Sequence, residues 1–246
     1  MKIKLLFCAL LAMLVIEVKA QQDSTFRTFK QGMAIYAEFG LLPNNKSMRD
    51  QLDRLNIKPF TSMMGSFVLA RRMEGQKWFS EGRIILMNST NYTSDKDVPK
   101  AYLGGLGFGM DGGPKLVNTS RWNVLIPIGV DVMFYRLKIR NNGSATLSQI
   151  VQNPGAYQPV KLFTRNINAH AGIGVDYKLN TRSRINDAVY ISGKATYHLP
   201  VLGRRDWKSE DVTVSDLSNL KLNQVYLQLG LVFFPKNSGK MWHGMH

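Results

Sequence analysis

The chain is 246 residues long, 44% hydrophobic and 20% charged, and its 32 Lys and Arg against 17 Asp and Glu leave a net charge of +15. Its single cysteine, Cys8, excludes a disulfide framework. Past the first stretch, no apolar run reaches the roughly 18 residues that a membrane-spanning helix needs, and the length suits one sizeable domain.

Met1-Lys-Ile-Lys4 is basic, Leu5 to Ile16 is wholly apolar, and Val18-Lys-Ala20 precedes Gln21-Gln22. That layout predicts a secretory signal peptide over residues 1–20, cut after Ala20. Cys8 leaves with it, so the remainder has no thiolate chemistry. The segment holds Lys2, Lys4 and Lys19 against Glu17, and its loss takes the charge from +15 to +13. For an exported, strand-rich chain this balance points to outer-membrane lipid with anionic head groups as partner, not to nucleic acid.

A polar lead-in occupies residues 21–31. Met33, Ile35, Ala37, Phe39 and Leu41 then alternate with Ala34, Tyr36, Glu38 and Gly40, the period-two pattern of a strand with one apolar face. Pro43 to Pro59 is a polar connection in which Ser47 is placed to cap a short surface helix. Thr61 to Arg72 and Trp78 to Asn88 read as strands around a tight turn at Glu74-Gly75-Gln76, with Glu81 and Arg83 sharing a face. Thr90 to Pro99 is a second polar loop. Tyr102, Leu106, Phe108 and Met110 then share one face and Gly105, Gly107 and Gly109 the other, before a connection that begins at Asp111-Gly-Gly-Pro114.

Trp122 to Ile139 turns Val124, Ile128, Val130 and Val132 outward and Asn123, Gly129, Asp131 and Tyr135 inward. Pro127 removes a ladder hydrogen bond from its middle, and a local bulge at Pro127-Ile128-Gly129 is expected. Arg140 to Val160 is a long loop. The following strand sets outward Ile167, Ala171, Ile173 and Val175 against inward Asn168, His170 and Asp176. After a short basic turn, Ala188 to Leu199 places Lys194, Thr196 and His198 inward, and Pro200 to Leu222 is the last long loop. In the closing strand, Val225, Leu227, Leu229, Leu231 and Phe233 alternate with Tyr226, Gln228 and Gly230 until Pro235.

The strands number about eight, and their connections alternate long and short as in outer-membrane barrels. The predicted fold is all-β: a closed antiparallel up-and-down transmembrane β-barrel over residues 32–235, followed by a tail over 236–246. Its apolar side chains face lipid, and its narrow interior is filled by side chains. Glu38, Glu81, Arg83, Asp131, His170, Asp176, Lys194 and His198 form the expected interior polar cluster. Both signs of charge are present, which mutual pairing of buried charge requires.

A leader ending Lys-Ala before Gln-Gln, Val-Leu-Ile-Pro-Ile-Gly at 124–129, Ala171-Gly-Ile-Gly-Val-Asp-Tyr177 and Leu227-Gln-Leu-Gly-Leu231 together resemble the small porin-like outer-membrane β-barrel family of Gram-negative bacteria. The resemblance is one of pattern over most of the chain. It implies outer-membrane residence and, in some members, passive transport, and it supplies no catalytic residues. The ending departs from the family, whose members tend to finish on an aromatic residue, because Pro235 to His246 continues past Phe234.

Several motifs have a plainer reading than the one they advertise. Gly107-Phe-Gly-Met-Asp-Gly112 spells a dinucleotide fingerprint, but a strand follows it where a helix is needed, so it reads as a glycine-lined inner face. His170 and His198 read as interior histidines without metal spacing or an obvious serine nucleophile. Arg204, Arg205 and Lys208 lie beside Asp206, Glu210 and Asp211 and read as a solvated loop. No catalytic, cofactor or metal residue is expected. The first expectation is a non-enzymatic membrane barrel, either a narrow porin, a structural element, or a subunit held by a protein partner in the envelope. Its rivals are a barrel enzyme acting on lipid or peptide through His170 or His198, and a soluble lipocalin-like binder of an apolar ligand, whose interior would be apolar.

Overall fold

The computed structural model describes residues 29–41, 45–89, 98–140, 148, 152, 158–180, 185–203, 206–209, 212–214, 217 and 224–236. The expected signal peptide, the lead-in up to residue 28 and the tail from residue 237 lie outside the described residues. Eleven strands form one sheet: β1 (Lys30–Leu41), β2 (Met63–Glu74), β3 (Trp78–Asn88), β4 (Lys100–Asn118), β5 (Trp122–Leu125), β6 (Ile128–Arg140), β7 (Val160–Lys178), β8 (Asn186–Gly203), β9 (Trp207–Ser209), β10 (Val212–Val214) and β11 (Gln224–Pro235). A helix, α1 (Lys46–Arg54), lies between β1 and β2. No described helix is long and apolar enough to cross a membrane.

The strands pair antiparallel in chain order, and β11 then pairs with β8 on one side and β1 on the other. The pairing therefore returns to its start as a ring of eight strand positions. Two features account for the surplus over the eight expected strands. β5 and β6 occupy one position between β4 and β7, divided at Ile126-Pro127. Proline offers no N–H to the ladder. The neighbours absorb the fault: Ile126 N–H donates to Pro114 O at 3.1 Å, Gly172 N–H donates to Pro127 O at 2.9 Å, and the β4 register slips between Lys115 and Val117. The second feature is the β9–β10 hairpin, which touches β7 where Lys208 stands opposite Phe163.

Two expected connections are strand instead. Asp111 to Pro114 continues β4, because Glu81, Gly112 and Gly113 find partners there on β3 and β6. Pro200 lies inside β8, accommodated by a register shift opposite Asn168. The helix differs too. It starts at Lys46 and is not a surface element, since Met48 and Leu52 are both buried.

Burial alternates along the strands, in β2 without a break from Met63 to Glu74. Glu38, Tyr36, Arg72, Glu81 and Arg83 lie on the buried face, and Phe39, Phe67, Ile84, Phe108 and Leu229 on the exposed one. Long connections gather at one end of the ring and tight turns at the other. At the long-connection end, Met48 and Leu52 of α1 join Phe60, Leu103, Leu137 and Trp207 in one buried apolar cluster. That cap lies over an interior of a different character.

Candidate functional site

The middle of the ring is crossed by a continuous network of buried charge. At 0% exposure, Arg72 on β2 is its hub. Its Nη2 donates to Asp176 Oδ2 at 2.5 Å, its Nη1 to Glu81 Oε1 at 3.3 Å, and its Nε lies 3.6 Å from Glu74 Oε2. Glu74 also accepts from Lys115 and from Asn123 Nδ2, which extends the network towards the tight-turn end. Glu81 accepts from the Tyr36 hydroxyl at 2.7 Å and from Lys194 Nζ at 2.5 Å. Lys194 lies 3.5 Å from Asp111 Oδ2, and the same oxygen is 3.5 Å from Arg83 Nη1.

From Arg83 the network reaches the histidines. Nη2 of Arg83 donates to Asp131 Oδ1 at 2.6 Å and stands 3.2 Å from His170 Nε2. His170 Nδ1 is 3.0 Å and His198 Nδ1 3.3 Å from Asp131 Oδ2, and the rings stack with centroids 4.6 Å apart. Thr196 Oγ1 lies 3.0 Å from His198 Nε2. Room for this crowding comes from two glycines. A Cβ at Gly109 would collide with the Asp131 carboxylate, and one at Gly129 would come within 2.7 Å of His170 Nε2.

The network holds the cations Arg72, Arg83, Lys115 and Lys194 against the carboxylates of Glu74, Glu81, Asp111, Asp131 and Asp176. Near-balance is what makes its burial tolerable, since each charge leaves water only for a partner. Of the residues expected inside, Glu81, Arg83, Asp131, His170, Asp176, Lys194 and His198 are brought together here. Glu38 is the exception: it is buried and accepts a hydrogen bond from Gln228, with no ion pair among the described residues. Arg72, Glu74, Asp111 and Lys115 are additions. Arg72 and Glu74 continue the inward phase of Val68 and Ala70, and Asp111 that of Gly105, Gly107 and Gly109.

Asp131, His170 and His198 hold three potential metal-binding atoms within 4.8 Å of one another. The hydrogen bonding opposes a cation there. Arginine is a donor only, so His170 Nε2 accepts from Arg83 and Nδ1 carries the proton given to Asp131. A metal at Nδ1 would set an Nε2–H against the Arg83 N–H, beside a guanidinium charge. The donor set fits a hydrogen-bonded network.

No protein-family profile matches the chain, and neither does any curated protein. One solved structure is similar. It is a major outer membrane protein from Thermus thermophilus, with a TM-score of 0.44 and 10% identity over 82% of this chain and 98% of that one.

At the tight-turn end a cavity of about 300 Å³ opens between Lys30, Gln76, Asn118, Tyr190 and Phe234. Glu74 and Lys115 line it as well, so it runs up against the charge network. The same interior therefore has a wet mouth, a charged middle and an apolar cap.

Proposed function

We propose that the chain is an integral outer-membrane β-barrel whose interior is plugged, acting as a structural element or as a subunit of a larger envelope complex and not as an open pore. The observation that carries this reading is the inversion of burial. Met33, Phe39, Leu106, Ile173 and Leu229 are between 40% and 63% exposed, while Arg72, Glu81, Arg83 and Lys194 are at most 3% exposed. Lipid is the solvent that suits such an exterior, and a closed ring leaves no unpaired strand edge facing it. A soluble ligand-binding barrel would have the opposite arrangement. Occlusion follows from the cross-linking of opposite walls. Arg72 on β2 reaches Asp176 on β7, and Arg83 on β3 reaches Asp131 on β6, so salt bridges span the space a solute would need.

Two measurements test the two halves of the proposal. Membranes from an expressing Gram-negative host, washed with carbonate, should retain the full chain until detergent is added. Release by the wash alone would end the membrane reading. The detergent-purified protein in a planar bilayer should give no steady conductance, and discrete open-channel steps would replace the plugged reading with a porin.

A second reading rests on the order Thr196 Oγ1, His198 Nε2, His198 Nδ1, Asp131 Oδ2, which is the hydrogen-bond chain of an activated hydroxyl nucleophile. It stands second because Thr196 and His198 are 2% and 4% exposed, which keeps substrate from the hydroxyl. Turnover of a p-nitrophenyl ester by purified protein, abolished in Thr196→Val, would raise it. No turnover removes it.

A further inference from the structure

The exposed face of the ring carries its charge unevenly. Over β1, β3, β4, β5 and β11 the outward positions are apolar, small or uncharged, and β2 contributes Arg71, which donates to Gln31 Oε1 at 2.9 Å. On β6 and β7 the pattern changes towards the long-connection end. Arg136, Lys138, Lys161 and Arg165 all fall on the outward phase, the same phase as exposed Phe134 and Phe163. Among the described residues none of these four forms an ion pair, and no acidic side chain shares their part of the face.

The register sharpens the point. Lys138 stands directly opposite Lys161, Arg136 opposite Phe163, and Phe134 opposite Arg165. Directly opposed side chains on one face lie about 5 Å apart at Cβ, and like charges so placed repel. A cross-strand lysine pair is therefore an arrangement that an anion would relieve. Lys208 adds a fifth positive charge, since it pairs in register with Phe163 on the adjoining hairpin.

Beside the cations the surface is dented. Gly104 lies between Asn88 on β3 and Arg136 on β6, and a Cβ there would meet nothing closer than 3.5 Å. The resulting groove has a volume of about 570 Å³ and is walled by Leu86, Leu106, Phe134 and Phe163, with Arg136 at its charged side. An apolar trough next to a cluster of cations matches one kind of molecule: an acyl chain attached to a phosphate.

We propose that this face holds a phosphate-bearing lipid of the leaflet at the long-connection end, its head group among Arg136, Lys138, Lys161 and Arg165 and one acyl chain in the groove over Gly104. The assignment rests on the membrane-barrel reading and names the partner that the barrel's outer surface selects. Arginine and lysine at the interface are each worth a substantial increment of binding to anionic lipid, and the apolar wall adds burial of methylenes.

The test uses full-length protein purified in detergent and examined by native mass spectrometry. The probes are dioleoyl phosphatidylglycerol, dioleoyl phosphatidylcholine and inorganic phosphate. Phosphatidylglycerol should be retained at least tenfold more than phosphatidylcholine, and inorganic phosphate should give no discrete adduct. Each cation replaced by Gln should lower the preference by about fivefold, so that R136Q/K138Q/K161Q/R165Q abolishes it. Gly104→Leu, which keeps every charge but fills the groove, should weaken lipid retention while leaving the slower migration of the unheated protein on gels unchanged. Equal retention of the two lipids, or a quadruple variant that still discriminates, would overturn the proposal. So would inorganic phosphate binding as well as the lipid. If the wild-type chain is instead released from membranes by carbonate, the barrel reading itself has failed. If it stays membrane-integral and merely fails to discriminate, only the lipid site is lost.

Discussion

The interior is filled in two ways. At its long-connection end, Met48, Leu52, Phe60 and Trp207 close it with apolar bulk carried on connecting segments. In its middle, Arg72, Arg83 and Lys194 close it with charge carried on the strands themselves. The cap adds to the wall, whereas the network is part of it, because salt bridges such as Arg72–Asp176 and Arg83–Asp131 tie strands that are not neighbours. The difference teaches that plugging and wall stability are separable at one end of this molecule and inseparable in the middle.

Removing the hub is the hardest blow to that contrast. Arg72→Leu leaves Glu81, Asp176 and Glu74 without their shared cation, and losing one partner of a buried pair costs about 3–5 kcal/mol. Urea unfolding in detergent, followed by tryptophan fluorescence, should show that loss against Arg71→Leu, whose side chain faces outward, as the control. Equal midpoints for the two variants would mean that the network contributes nothing to the wall.

The outer face offers a sharper form of the same comparison. Leu229 is 62% exposed and paired mid-strand with Ala37 and Gly193, so Leu229→Arg should cost about 2–4 kcal/mol if that face meets lipid. A surface in water would tolerate the change within about 0.5 kcal/mol. The mildest effect belongs to the cap. Leu52→Ala should cost about 2 kcal/mol, and the cost should be local, because α1 can unseat while the ring stays closed. Faster amide exchange over residues 46–60 with the ring strands unchanged would be the signature. Loss of protection throughout would show that the cap is as integral as the network.

Much of the ring can be read from alternation alone. Leu227, Leu229 and Leu231 against Tyr226 and Gln228 give the facing of β11, and Glu81 with Arg83 marks the inner side of β3. Turn-forming residues misled where tertiary pairing overrode them. Asp111-Gly-Gly-Pro114 has the composition of a turn, yet β3 and β6 hold it in the sheet, and Asp111 serves the network only because of that extension. Pro200 likewise ends a strand on paper and is carried through β8 by a register shift. Arg72 was hidden by its position beside Arg71. In a period-two pattern one of two adjacent arginines must point inward, but the choice depends on how far the strand runs past them. The burial of α1 was invisible because its apolar positions, Met48 and Leu52, suit a loosely attached helix as well as a plug.

The seam between β1 and β11 has a consequence for how the molecule comes into being. Gln228 bonds Glu38 across a sequence separation of 190 residues, and Met33 through Gly40 are laddered to Phe233 through Tyr226. Until the last strand has emerged, the first one exposes a row of bare amides and carbonyls with nothing to complete them, which is the condition that invites pairing with the wrong chain. Biogenesis of this protein thus has an unguarded interval as long as nearly the entire polypeptide, and whatever escorts it through the envelope must cover that first edge until the final residues arrive.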